Sequence, residues 1–194
     1  GFLLANGALS GEGTEQAIRK QLIENRLVEA IVILPRNMFY STDISVTLWI
    51  LNRNKKARTV TQNEVLVKYR DREREVLFMD LRQRGEPFEK KYIQFSPEQI
   101  AEIADDFHTW QQDGGKPYQD VPEYCYSATI EEIAERGYSL VPSKYIEFIN
   151  RDEGIDYNER LRKLNAELMQ LLEEEAASRK ELITVMSKLT KGKA

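Results

Sequence analysis

The chain holds one cysteine and one histidine in 194 residues, and each scarcity excludes chemistry. A single thiol, Cys125, cannot close a disulfide within the chain, which fits a reducing compartment and an expected cytoplasmic location. One cysteine and one histidine cannot build a zinc site. Cys125 has no histidine near it in the sequence to serve as its base, so it reads as a small buried residue and not as a nucleophile. His108 sits beside Phe107 and Trp110 on a helix and reads as structural, with a general base as the lesser reading. No apolar run approaches the ~20 residues that span a bilayer. No basic segment leads into an apolar one, so no secretory signal is expected. A basic excess is lacking too: the net charge is −4. Binding to nucleic acid would therefore need a local patch or a partner.

What remains is an ordinary globular composition, 41% apolar and 31% charged, with length enough for a real core. Phe2, Leu3 and Leu4 read as a buried strand over residues 1–5 that starts in mid-fold, so the chain is expected to be a later piece of something longer. The stretch NGALSGEGTE follows as a loop. It lacks the Walker lysine and the dinucleotide spacing, and a need for positive φ explains its glycines better than phosphate binding does. Thr14 is placed to cap a helix over about 15–25 that carries Ile18, Leu22 and Ile23. VEAIVILP, SVTLWILNR and REVLFMDLR read as buried strands, and strand, helix, strand in that order implies an α/β sheet covered on both faces. The charged run between the last two is a link or a small hairpin around Val65–Val67.

Ser96-Pro97-Glu98 opens a further helix with a serine cap, proline in the first turn and an acid at the positive end. Its apolar face is Ile100, Ile103, Ala104, Phe107 and Trp110. SATIEEIAERG holds a short helix stopped at Gly137, and YSLVPSKYIEF reads as a closing extended segment. From about Asp156 to Leu189 there is neither proline nor glycine. Leucines recur there at three and four, which predicts a long amphipathic helix in need of a partner, with a break near EEEAASRK left open. The run Glu173-Glu174-Glu175 reads as a solvated helix face.

Phe39 and Tyr40 stand side by side in the loop that follows Ile31–Leu34. On one reading, one ring faces the core and the other faces out. On the other, they form a stacking surface for a planar ligand at the carboxyl end of a strand, where open α/β sheets bind ligands.

Taken in order, GFLLANGALSGEGTEQAIRKQLIENRLVEAIVILPRNMFYSTDISVTLWILNRNK, VLFMDLR, IAEIADDFHTW and YCYSATIEEIAERGYSLVPSKYI resemble the modification (M) subunit of type I restriction–modification systems, the adenine-specific DNA methyltransferases. The likeness covers nearly the whole chain. It implies that residues 1–82 form the last part of a seven-stranded S-adenosylmethionine-dependent methyltransferase sheet of α/β class, 83–150 a helical extension, and 151–194 a long C-terminal helix for subunit association. The family's glycine-rich cofactor loop and Asn-Pro-Pro-Phe/Tyr motif precede the matching segment, and this sequence contains no Asn-Pro-Pro. Catalytic and cofactor-binding residues are therefore expected upstream of Gly1. The chain alone is expected neither to bind S-adenosylmethionine nor to methylate, and no metal is implied. By the resemblance, LPRNMFYST is the late motif whose aromatic ring faces the flipped adenine, Phe39 matching best and Tyr40 second. The C-terminal helix would pack on the specificity (S) subunit through Leu161, Leu164, Leu168, Leu171, Leu182, Met186 and Leu189. The assembled complex would include the restriction (R) subunit and double-stranded DNA. A rival reading is a non-catalytic truncated protein that binds the specificity subunit or self-associates through this helix. A weaker one is an unrelated α/β module with a coiled-coil arm. A sheet with an uncovered edge and apolar face is also expected to self-associate.

Overall fold

β-branched and apolar runs build a five-stranded mixed sheet in the computed structural model, which describes residues 1–149 and 157–191. The strands are β1 (Phe2–Ala5), β2 (Val28–Ile33), β3 (Val46–Leu51), β6 (Glu75–Asp80) and β9 (Cys125–Thr129), in the order β1-β3-β2-β6-β9. Two hairpins lie outside the sheet: β4 (Arg58–Gln62) with β5 (Val65–Tyr69), and β7 (Glu86–Phe88) with β8 (Tyr92–Gln94). Only β2 and β6 pair in parallel, and the other three pairings in the sheet are antiparallel. β3 is inserted between β1 and β2, antiparallel to both. The α/β expectation holds, with a sheet that is mostly antiparallel.

Helix α1 (Thr14–Glu24) and helix α3 (Ile130–Glu135) contribute Ile23 and Ile133 to one apolar layer, together with Val28, Ile31, Trp49, Val76 and Phe78 of the sheet. Helix α2 (Pro97–Gln111) contributes Trp110 to the opposite layer, against Ala30, Val32, Leu77 and Met79. Both faces are thus covered, as continuous apolar strands require. β2 is buried at every position, including Glu29. A bulge between Val28 and Ala30 shifts its register. The shift lets Val28 and Ile31, three residues apart, share one layer, and it turns Glu29 towards α2. There the Glu29 Oε1 accepts from Arg72 Nε at 3.0 Å and from Gln111 Nε2 at 2.9 Å. Both charged side chains are fully buried. Lys55, also buried, donates from Nζ to the carbonyls of Val28 at 2.6 Å and Glu75 at 2.7 Å, tying β2 to β6. Burial lowers its pKa to about 8.

Several expectations need correction. β1 forms but is exposed along its length, because among the described strands it pairs only with β3 and so is an edge. Thr14 does not cap α1; Gly13, at φ +65°, takes that place and no side-chain cap bond forms. The segment YSLVPSKYIEF is not extended: a 3₁₀ turn, Pro142–Lys144, brings Tyr145 and Ile146 into the core. Residues 83–150 also hold strands β7, β8 and β9, and β9 extends the main sheet. The link at 52–74 is indeed a hairpin, turned by Asn63 and Glu64, both at positive φ. Ser96 caps α2 as expected, and Gln99 completes a capping box.

Contacts divide the chain into two units, Gly1–Ile149 and Asn150–Ala194. The second contains helix α4 (Tyr157–Lys191), unbroken through EEEAASRK. Leu161, Leu164, Leu168, Leu171, Leu182 and Met186 are each more than half exposed along it. The three-four spacing from Leu171 to Leu182 runs through Glu175 and Ser178 without losing phase, so the stripe is one heptad series with a polar step in its middle. The expected interface side chain of Leu189 lies outside the described residues, as does that of Val185.

Candidate nucleic-acid interface

The carboxyl ends of the parallel pair β2 and β6 release two loops on the same side of the sheet, 34–45 and 81–85. Ligands of open sheets bind at such ends. The first loop carries Phe39 and Tyr40, and the two rings separate. Phe39 is half-buried and packs on the α2-side layer beside Met38. Tyr40 is 73% exposed, and its ring stands edge-on to Tyr92 of β8 at 4.6 Å. The loop is pinned there by the Ile93 amide, which donates to the Asn37 carbonyl at 3.0 Å. Asn37 itself lies at φ +59°, a left-handed turn that asparagine tolerates.

Beside Tyr40 the same loops enclose a cleft of about 630 Å³. Its walls are Arg36, Asn37 and Ser45 from the first loop, Arg82 and Arg84 from the second, and Ile93 of β8. Three guanidinium groups line it and no carboxylate does. Each arginine is braced by a different group. Arg36 Nε donates to the Asp43 carbonyl at 3.3 Å. Arg82 grips Asp80 through Nε at 3.0 Å and Nη2 at 2.6 Å, and this bonding raises its pKa. Arg84 lies 4.8 Å from the centre of the Tyr124 ring and 3.5 Å from Glu102.

This cleft does not suit the sulfonium and amine of S-adenosylmethionine, both cationic, and matches only its carboxylate. Nor does the glycine loop suit phosphate. Arg19, buried beneath it, donates to the carbonyls of Ala8 at 3.1 Å and Gly11 at 2.6 Å, so the loop turns acceptors inward. Cys125 is buried in β9, where desolvation pushes its thiol up, away from the nucleophilic form. His108 is exposed on the last turn of α2. Among the described residues no group of histidine, cysteine and carboxylates is placed to hold a metal. No helix among them is long and apolar enough to cross a membrane. The arginine cleft was missed from sequence, where residues 36, 82 and 84 form no motif. The only available signal was that each follows the end of a buried strand.

Comparison with known proteins places this geometry in a family. The chain is 38% identical over 183 residues to the methylase subunit of the type I restriction enzyme HindI of Haemophilus influenzae, covering 93% of this chain and 37% of that protein. It is 30% identical over 191 residues to the MjaIX methylase subunit of Methanocaldococcus jannaschii, covering 97% and 32%. It therefore spans about a third of the length of these relatives. Among solved structures, it superposes on the type I restriction-modification methyltransferase subunit of Streptococcus thermophilus with a TM-score of 0.59 at 24% identity, over 76% of this chain and 26% of that one, a likeness of fold. Residues 1–154 match the N-6 DNA methylase family model, and the chain belongs to that family.

Proposed function

We propose that the chain is part of a type I modification subunit that transfers a methyl group from S-adenosylmethionine to the exocyclic amine of adenine in DNA. The single observation that carries this reading beyond the family is the exposed ring of Tyr40 at the carboxyl end of the parallel pair, braced by Tyr92. Such a ring offers a face on which an extruded base can stack. Of the two sequence candidates the geometry favours Tyr40 for the stacking face, with Phe39 anchoring the loop from below. Residues 1–82 supply the rear of the base pocket, 83–150 the elements around it, and 151–194 the docking helix. The methyl donor supplies the transferred group. The 194 residues alone are expected neither to bind the donor nor to methylate. Partners of the assembly are the specificity subunit, the restriction subunit and double-stranded DNA, in the cytoplasm.

The test is methylation of a duplex by the assembled enzyme carrying Tyr40→Ala, Tyr40→Phe or Phe39→Ala. Stacking is worth about 1–3 kcal/mol per base, so Tyr40→Ala should lower kcat/KM by about 5- to 150-fold while Tyr40→Phe keeps most of it. Phe39→Ala should lower methylation with little change in fold. Unchanged turnover in Tyr40→Ala and Phe39→Ala would return both rings to a packing role.

A second reading, a non-catalytic protein that binds the specificity subunit or a second copy of itself, draws on one observation: the leucine stripe of α4 is open to solvent. The coding sequence upstream of Gly1 separates the two: an in-frame Asn-Pro-Pro-Phe/Tyr motif favours the enzyme, and its absence favours the partner-binding protein.

A further inference from the structure

We infer that the cleft between loops 34–45 and 81–85 holds a backbone phosphate of the DNA strand whose base meets Tyr40. This rests on the base-stacking reading above and adds to it a second site on the same strand, of different chemistry. The cleft is lined by Arg36, Arg82 and Arg84 without a carboxylate, in a chain whose net charge is −4. Such a local concentration of guanidinium groups runs against the charge of the whole molecule. Guanidinium forks match phosphate oxygens in a bidentate manner.

The three are positioned before any ligand arrives. Asp80 holds Arg82, the loop's own Asp43 carbonyl holds Arg36, and Tyr124 with Glu102 holds Arg84. Asp80 and Glu102 offset part of the charge, yet neither lines the cleft, so its lining holds three arginines and no acidic residue. Ser45 and Asn37 add polar groups to the wall.

Position favours a nucleic-acid phosphate over a small free anion. The cleft, at about 630 Å³, is far roomier than one phosphate ion needs. It is joined to the ring platform through β8, where Tyr92 braces Tyr40 and the next residue, Ile93, lines the cleft. Arg36 and Tyr40 are four residues apart on one loop, so their Cα atoms are at most about 14 Å apart. Aromatic platform and cationic groove side by side are the two components of single-strand binding surfaces.

The test uses the 194-residue chain and two fluorescein-labelled single-stranded probes of equal length, one of deoxyadenylates and one with abasic spacers. The variants are Arg36→Gln with Arg84→Gln, Tyr40→Ala, and Arg58→Gln on the outlying β4–β5 hairpin. Arg82 is left intact because its partner Asp80 is nearly buried. Tryptophan emission checks that each variant is folded. The double arginine variant should bind both probes about tenfold more weakly or worse. Its plot of log K against log salt should flatten by about 1.4, two contacts at ~0.7 each. Arg58→Gln should match the parent chain. Tyr40→Ala should weaken only the deoxyadenylate probe.

If the arginine variant binds both probes like the parent while Tyr40→Ala loses adenylate binding, the cleft assignment fails and the base-stacking reading stands. Loss in the arginine variant alone supports the cleft and overturns the ring. Inorganic phosphate that binds the cleft as tightly as the probes do would make this a small-anion site and overturn the assignment to DNA.

Discussion

Arg72→Ala is the most informative change in the body of the protein. It removes the guanidinium from the Glu29 carboxylate, and both groups are shielded from water. Glu29 keeps one bond, from Gln111 at 2.9 Å, which does not replace a full positive charge. Breaking a buried pair on one side costs about 3–5 kcal/mol, because the survivor is an uncompensated ion. The loss also strips two further bonds, from Arg72 Nη1 to the carbonyls of Arg70 and Gln111. At about 2–4 °C per kcal/mol for a chain of this size, the midpoint should fall by roughly 6–20 °C. Tryptophan emission is the right probe, since both tryptophans, Trp49 and Trp110, are buried in the body. The control replaces both partners. Glu29→Met with Arg72→Met leaves neither member of the pair orphaned, and such exchanges are often neutral or stabilising. The double variant should unfold close to the parent chain and well above Arg72→Ala. A double variant as unstable as the single one would refute the argument, because the damage would then come from lost packing and not from an unpaired charge.

Three other outcomes are expected. Lys55 has its pKa lowered by burial to about 8 from an ordinary 10.5, so above pH 8 the unfolded chain holds a proton that the native one has released. Stability should therefore rise with pH through that window, until the raised pKa of buried tyrosines such as Tyr145 reverses the trend, and Lys55→Met should flatten the rise in urea titrations. Ser96→Ala removes the bond to the Gln99 amide at 3.2 Å and should lower stability by about 1 kcal/mol in the same assay. Leu164→Asp with Leu168→Asp should abolish co-purification with the specificity subunit while leaving the body's midpoint unchanged; retained association would remove the docking role given to α4.

How far the fold could be read from sequence depended on where each element draws its stability. α2 was legible because its start is written locally, in Ser96-Pro97-Glu98, and its apolar face repeats at helical spacing. β2 and β6 were legible because branched apolar residues run without a break. β9 was not, since CYSAT has no run of branched apolar residues and its strand character comes from pairing with β6, about 50 residues earlier. β7 and β8 have three residues each, too few for a period to show. Phe39 and Tyr40 were visible as a pair, while their division into an inner and an outer ring depends on Tyr92 and Asn37, which no local pattern links to them. The Glu29–Arg72 pair bridges 43 positions and likewise leaves no local trace.

The polar step in α4 limits what can lie against that helix. A purely leucine seam tolerates sliding, because each seven-residue slip restores the same neighbours. Here a slip would set an apolar side chain against Glu175, whose carboxylate is already engaged by Arg179 at 2.6 Å. For a helix docked along this stripe, Glu175 and Ser178 would act as an alignment mark that favours a matching hydrophilic layer at that height. Over a rod about 52 Å long, that mark would select one docking position for such a helix.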